Sequence, residues 1–208
     1  MFYKKISAFF IGCWVFCIFI PNAQAAKIYK TISYYIVSGT TAAQIDKSMA
    51  KNAPYLKSTG QHHLGVTTIS FVTYLKLKSE GNYCKIDRIH VDILANMQLP
   101  RWKQRSRTKS LELAVVWDSL SQDIKRHEES HVVIARAHAS EIEKKIRELS
   151  YQKNCDKLLQ NIETIVGHAL AQHDEAQKRF DRIEAKNFDK RFFNLLIRRL
   201  EEIPYQRK

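Results

Sequence analysis

Residues 117–138 read WDSLSQDIKRHEESHVVIARAH, and the fold turns on how this stretch is read. Trp117, Leu120, Ile124, His127, His131, Ile134 and His138 recur at intervals of three, four or seven, which lines them along one side of an α-helix. Extended outward, the pattern predicts a helix from about Ser110 to Leu149. At its centre lies His127-Glu128-Glu129-Ser130-His131. Residues four apart project from one helix face, so two imidazoles can meet one Zn²⁺ at about 2.0–2.1 Å. Glu128 then reaches the water at the metal as general base, and the metal lowers that water's pKa to about 7. The blander reading is a helix with two half-exposed histidines beside a carboxylate. The apolar anchor preceding the pentad, which would bury such a site, favours the metal.

A catalytic zinc usually has three protein ligands and one open position. His138 returns to within about 20° of His127 around the helix. It nevertheless lies about 10 Å beyond His131 along the axis, too far to share an ion, and reads as packing or support. The third ligand should come from a second helix, starting near Cys155 and reaching about Ala185 or beyond, that runs back antiparallel past the first. His168, His173, Asp174, Glu175 and Asp181 are its candidates. A third, basic amphipathic helix is predicted at Phe192–Leu200.

Upstream the pattern changes from helical to strand-like. Runs at Lys27–Val37, Val66–Lys78 and Ile86–Ile93 predict strands. Thr40 or Thr41 caps a short helix carrying Ile45 and Met49, which Pro54 ends. Leu99-Pro100-Arg101-Trp102 leads into a basic loop, Lys103–Lys109, with Trp102 and Trp117 as core residues and His62-His63 a polar turn. The expected class is α+β: a small, mostly antiparallel N-terminal sheet with one helix, packed on a C-terminal hairpin of long helices.

The start of the chain reads as an export signal. Lys4 and Lys5 precede an apolar run, Ile6–Ile20, then Pro21 and Ala23-Gln24-Ala25, with cleavage expected after Ala25. The run is shorter than the roughly 20 residues that span a bilayer. Residues 26–208 are then one secreted or periplasmic domain, β-rich over 26–100 and helical over 110–208. Losing Lys4 and Lys5 lowers the formal net charge only from +13 to +11. Cys84 and Cys155 remain as an even pair in an oxidising compartment, where a disulfide is the default.

Tyr34-Tyr35-Ile36-Val37-Ser38-Gly39-Thr40-Thr41-Ala42-Ala43, then Met49, Pro54, Thr67, Cys84, Pro100-x-Trp102 and Trp117 follow one another in order. His127-Glu128-x-x-His131, Cys155 and Gln177-x-x-Phe180-Asp181 complete the series. The whole resembles the bacterial family called domain of unknown function 922, described as predicted secreted zinc-dependent proteases. The resemblance covers about Ile28 to Asn187 and implies that His127 and His131 are ligands, Glu128 the base and Cys84–Cys155 a bridge. The family's late segment runs aromatic-Asp-x-x-Thr-x-His-Gly. Here Asp181 is kept, while Glu184, Lys186 and Asn187 replace Thr, His and Gly. Asp181 is therefore the expected third ligand, with His173 and Asp174 behind it.

The expected function is a secreted or periplasmic zinc-dependent metallopeptidase acting on peptide or protein in the cell envelope. Its rival is a non-catalytic envelope protein of the same fold that binds anionic polymers or a membrane surface, and the altered late segment favours that rival. Net positive charge fits peripheral contact with anionic membrane or polymer. No nucleic-acid fold signature is present, and export argues against a genomic target. Lys190–Leu200 is expected to dock on the core in preference to lying on a membrane.

Overall fold

The protein is described by a computed structural model covering residues 26–57 and 59–202, so the signal reading of residues 1–25 lies outside the described residues. The elements follow in the order β1 (Ile28–Val37), α1 (Ala42–Asn52), β2 (Tyr55–Leu56), β3 (Gln61–His62), β4 (Val66–Glu80), β5 (Tyr83–Trp102), α2 (Leu111–Arg147) and α3 (Cys155–Glu201). The class is α+β, with the small sheet first and the long helices after it, as the sequence pattern predicts.

β5 is the spine of the sheet, which runs β1-β5-β4. β4 lies antiparallel to β5 and β1 parallel to it, while β2 and β3 form a separate antiparallel pair where the sequence reading had only a polar turn at His62-His63. Gly81, with φ of 60°, and Asn82 make the two-residue loop joining Glu80 to Tyr83. Such a tight hairpin needs positive φ, which glycine supplies without steric cost. Both strands therefore run to the tip, past the predicted limits at Lys78 and Ile86. β5 also continues beyond Ile93 through Pro100 to Trp102. β4 begins at Val66 opposite Gln98, so it has no residue facing Pro100, and a missing N–H there costs no bond on that side.

Along β5, Val91, Ile93, Ala95, Met97 and Leu99 alternate into the core, where they meet Ala135, Ala139, Ile142 and Ile146 of α2. The small alanines let helix and sheet approach closely. Trp102 and Trp117 are both buried, with ring centroids 5.7 Å apart, and the Trp102 indole donates to the Gly39 carbonyl at 2.8 Å. Tyr35 is buried, its hydroxyl donating to the Leu64 carbonyl at 2.8 Å, while its neighbour Tyr34 is exposed. Thr41, Ser110 and Asn154 cap the three helices through their side-chain oxygens.

The second helix, expected to reach about Ala185 or beyond, and the third, expected at Phe192–Leu200, are one continuous helix from Cys155 to Glu201. No glycine or proline stands between Gly167 and Pro204, so nothing in the backbone chemistry stops it. α3 runs antiparallel to α2: contacts pair Gln177 with His131, Glu184 with Arg126, Arg191 with Asp123 and Arg199 with Ser119. Cys84 and Cys155 form a disulfide with Cα atoms 5.1 Å apart, tying the start of β5 to the first turn of α3. Beside it, Cys84 and Gln152 exchange backbone hydrogen bonds of 2.8 and 3.0 Å.

Candidate metal centre

His127 and His131, one turn apart on α2, turn their Nε2 atoms toward each other at 3.1 Å. Asp181 on α3 completes the group, its Oδ1 3.2 Å from each of those nitrogens. Three donors bound tetrahedrally by arms of about 2.0–2.1 Å would stand roughly 3.3 Å from one another. The observed triangle is within a few tenths of an ångström of that figure. Two imidazoles and a carboxylate are also a donor set that zinc takes, with one position left for water or substrate.

Electrostatics agree with the geometry. Burial works to raise the Asp181 carboxyl, but the His127 and His131 imidazoles outweigh it and hold the acid well below the usual carboxylate range. Burial works to lower His131, yet hydrogen bonds to Asp181 and Gln177 leave it raised.

The far nitrogens of both histidines face α3. Gln177 Oε1 lies 2.5 Å from His131 Nδ1, and Gln177 Nε2 lies 3.2 Å from the His131 carbonyl and 2.8 Å from His173 Nε2. A carbonyl only accepts, so the amide nitrogen must be the atom facing it, which fixes the amide orientation. Gln177 Oε1 therefore accepts from His131 Nδ1–H, and the Nε2 lone pair of the neutral ring points at the donor triangle. His173 Nε2 accepts in turn, leaving its Nδ1–H to donate to Asp174 at 3.3 Å. On the other side, Glu184 Oε2 stands 3.8 Å from His127 Nδ1. Glu184 is held by Arg126 and Arg191, and the same two arginines hold buried Asp123, with Arg191 Nη2 at 3.0 Å. Phe180 walls the pair, stacked on His127 with centroids 5.0 Å apart and edge-on to His131 at 5.2 Å.

Glu128 is 3% exposed and lines the same cleft of about 840 Å³. The Thr67 hydroxyl on β4 donates to its Oε2 at 2.7 Å. Gly65, just before β4, presses its backbone against this carboxylate: a Cβ there would sit 2.7 Å from Glu128 Oε1 and 2.8 Å from Ile124 Cγ2. The floor of the cleft thus requires glycine for close approach.

Of the sequence-derived candidates, the structure brings together His127, His131 and Asp181, with Glu128 in the same cleft. His138 lies apart, its ring edge-on to His173 at 5.6 Å, which agrees with a packing role. His168 is exposed, Glu175 pairs with Lys178, and His173 and Asp174 meet each other. Burial pushes the His173 imidazole down, against the pull of Asp174. The supporting parts Gln177, Glu184, Thr67 and Gly65 carried no role in the sequence reading. Gln177 and Glu184 share a helix face with Asp181 at spacings of four and three, a signal legible once Asp181 is placed.

The sequence model of a bacterial protein of unknown function (DUF922) matches residues 32–188, and the chain belongs to that family. The match takes in the donor triangle, Glu128, Gln177 and both bridging cysteines. No curated protein and no solved structure matches the chain.

Proposed function

We propose that this protein is a zinc-dependent hydrolase of the cell envelope whose substrates are peptide bonds. The observation that carries the reading is the convergence of His127 Nε2, His131 Nε2 and Asp181 Oδ1 in a cleft that also holds the buried carboxylate of Glu128. When bound, Zn²⁺ supplies Lewis acidity: it polarises a carbonyl and eases loss of a proton from water. The chain's own residues do the rest. His131 is held in its metal-facing tautomer by Gln177, and Asp181 stays ionised beside the two imidazoles. Glu128, fixed by the Thr67 hydroxyl, is the group that takes a proton from attacking water and passes it to a leaving amine.

A peptide is the favoured substrate class because β4 is an edge strand and its first residues, Val66–Ile69, line the cleft. Among the described residues no strand pairs with its second edge. An extended chain can add there through main-chain hydrogen bonds. The export reading of residues 1–25 places the activity in the periplasm or outside the cell.

The test has two arms. Elemental analysis of the disulfide-intact protein is expected to give near-stoichiometric zinc, lost in a His127→Ala/His131→Ala double variant. Hydrolysis of a peptide library is expected to vanish in Glu128→Gln with zinc retained. Unchanged turnover in Glu128→Gln would sink the mechanism. A folded wild type without zinc at neutral pH would turn the reading to a non-catalytic envelope protein.

A further inference from the structure

Because α3 is one unbroken helix, its back carries one continuous line of residues. Residues 179, 182, 186, 190, 193, 197 and 200 succeed one another at steps of three or four, so they make one stripe. At about 100° per residue this stripe lies roughly opposite Gln177, Glu184 and Arg191, the residues that face α2 and the candidate metal centre. The stripe is sorted by chemistry. Its first four positions are Arg179, Arg182, Lys186 and Lys190, all exposed. Among the described residues none of the four enters an ion pair, whereas Arg126 of α2 and Arg191 of α3, where the two helices meet, pair with Asp123 and Glu184. The last three positions are Phe193, Ile197 and Leu200, which are 63%, 40% and 37% exposed. Phe192, Leu195 and Leu196, by contrast, are half-buried. The C-terminal part of α3 thus carries apolar residues on two sides, one partly covered and one open.

We infer that this stripe docks the protein on an anionic phospholipid bilayer. A line about 32 Å long on a convex rod meets a flat surface along its whole length. Four unpaired cations suit anionic headgroups, and Phe193, Ile197 and Leu200 suit the boundary between headgroups and acyl chains. Asp189 is the acidic residue closest to the line within the basic part, and it leaves the stripe net positive. A second copy is a poor occupant. Parallel pairing of two stripes sets four cations against four, and antiparallel pairing sets cations against Phe193, Ile197 and Leu200. Docking by the back of α3 leaves the cleft between β4, α2 and the opposite face of α3 open toward the aqueous side. No described helix is long and apolar enough to cross a membrane, so the contact is peripheral.

The test is co-sedimentation of the exported chain, residues 26–208, with vesicles of phosphatidylcholine alone or with added phosphatidylglycerol. Two variants of the same chain are compared. One is Arg179→Gln/Arg182→Gln/Lys186→Gln/Lys190→Gln, and the other is Phe193→Ser/Ile197→Ser/Leu200→Ser. Circular dichroism and a urea midpoint check that each folds, and Phe193→Ser alone is the milder substitute. Binding is expected only with phosphatidylglycerol present, and each set should weaken it by at least about tenfold. Equal binding by wild type and both variants, or none at all, overturns the inference. Binding lost in the charge variant alone would mark a site for anionic polymer and also overturn it. So would a dimer in sedimentation analysis that Phe193→Ser dissolves.

Discussion

Replacing Gln177 by leucine tests the hydrogen-bond chain behind the candidate metal centre. The side chain makes three contacts: its Oε1 accepts from His131 Nδ1 at 2.5 Å, and its Nε2 donates to the His131 carbonyl at 3.2 Å and to His173 Nε2 at 2.8 Å. Leucine keeps the volume and loses all three. His131 is then free to put its proton on Nε2, the atom that must offer a lone pair. Loss of such a supporting partner costs about 10–100-fold in metal affinity, or about 1.4–2.7 kcal/mol. Leaving the half-buried Nδ1–H unpaired costs a further 1–3 kcal/mol of fold stability, roughly. Gln177→Glu keeps the acceptor and loses only the donors, so affinity should recover while stability does not. Zinc affinity is read by competition with a chromophoric chelator. The ring tautomer is read by nitrogen-15 NMR of the metal-free protein at alkaline pH, where the imidazole is neutral. Wild type should hold His131 as Nδ1–H and Gln177→Leu should shift toward Nε2–H. Equal affinity and an unchanged tautomer in Gln177→Leu would refute the reasoning.

Gly65→Ala should lower peptide hydrolysis at unchanged zinc content, because its Cβ would fall 2.7 Å from Glu128 Oε1, with a stability loss of about 1–3 kcal/mol in urea titration. Cys84→Ser/Cys155→Ser opens a loop with a sequence separation of 71 and should cost about 4 kcal/mol on the chain-entropy account, read by the same titration. For the metal-free protein, His131 is raised above its ordinary 6.5, so the stability it gains from Asp181 is fully present below about pH 6.5 and lost as pH rises through the folded value. The stability gap between wild type and Asp181→Asn should therefore shrink from pH 6 upward, to be measured by urea unfolding across pH, and a gap that widens would contradict the sign. Arg191→Leu should destabilise the hairpin by about 3 kcal/mol, since it strips buried Asp123 of one of its two arginines.

What the sequence disclosed and what it hid divide by the range of the interactions. His127 and His131 share a helix turn, so their convergence is a property of local geometry and can be read from the spacing alone. Trp117 and Ile124 likewise sit at helical period, and Val91 and Ile93 within a run of strand pattern. The limits of β5 were harder, because Pro100 looks like a stop until one knows that β4 ends its pairing at Gln98. That the second and third predicted helices are one is hard to read for a related reason. The stretch from Glu184 to Lys190 has only Ala185 and Phe188 as apolar residues, while Glu184 is partly buried against arginines from two helices, a context no local window contains. Thr67 and Gly65 were invisible as site residues because their contacts with Glu128 span some sixty positions of sequence.

Asp181 is the instructive case: spacing alone left it one of five candidates on the second helix, the family resemblance favoured it, and the register of the helix hairpin brings its carboxylate to the two imidazoles. That register is pinned from both sides of the donor triangle. Toward the closed end of the hairpin, Gln177 grips His131; toward the open end, Arg126 and Arg191 bind Glu184 and Asp123 into one network across α2 and α3. A slip of one helical turn would move Asp181 by about 5.4 Å, more than the 3.2 Å that now separates it from either imidazole. It would also part Asp123 from Arg191 and Glu184 from Arg126, the two pairs that cross between the helices, and truncating one partner of a buried ion pair already costs roughly 3–5 kcal/mol. Glu184 is then part of what sets the register. Its carboxylate is the one through which Arg126 of α2 holds α3, beside the Arg191–Asp123 pair, so Glu184 helps to keep Asp181 in place.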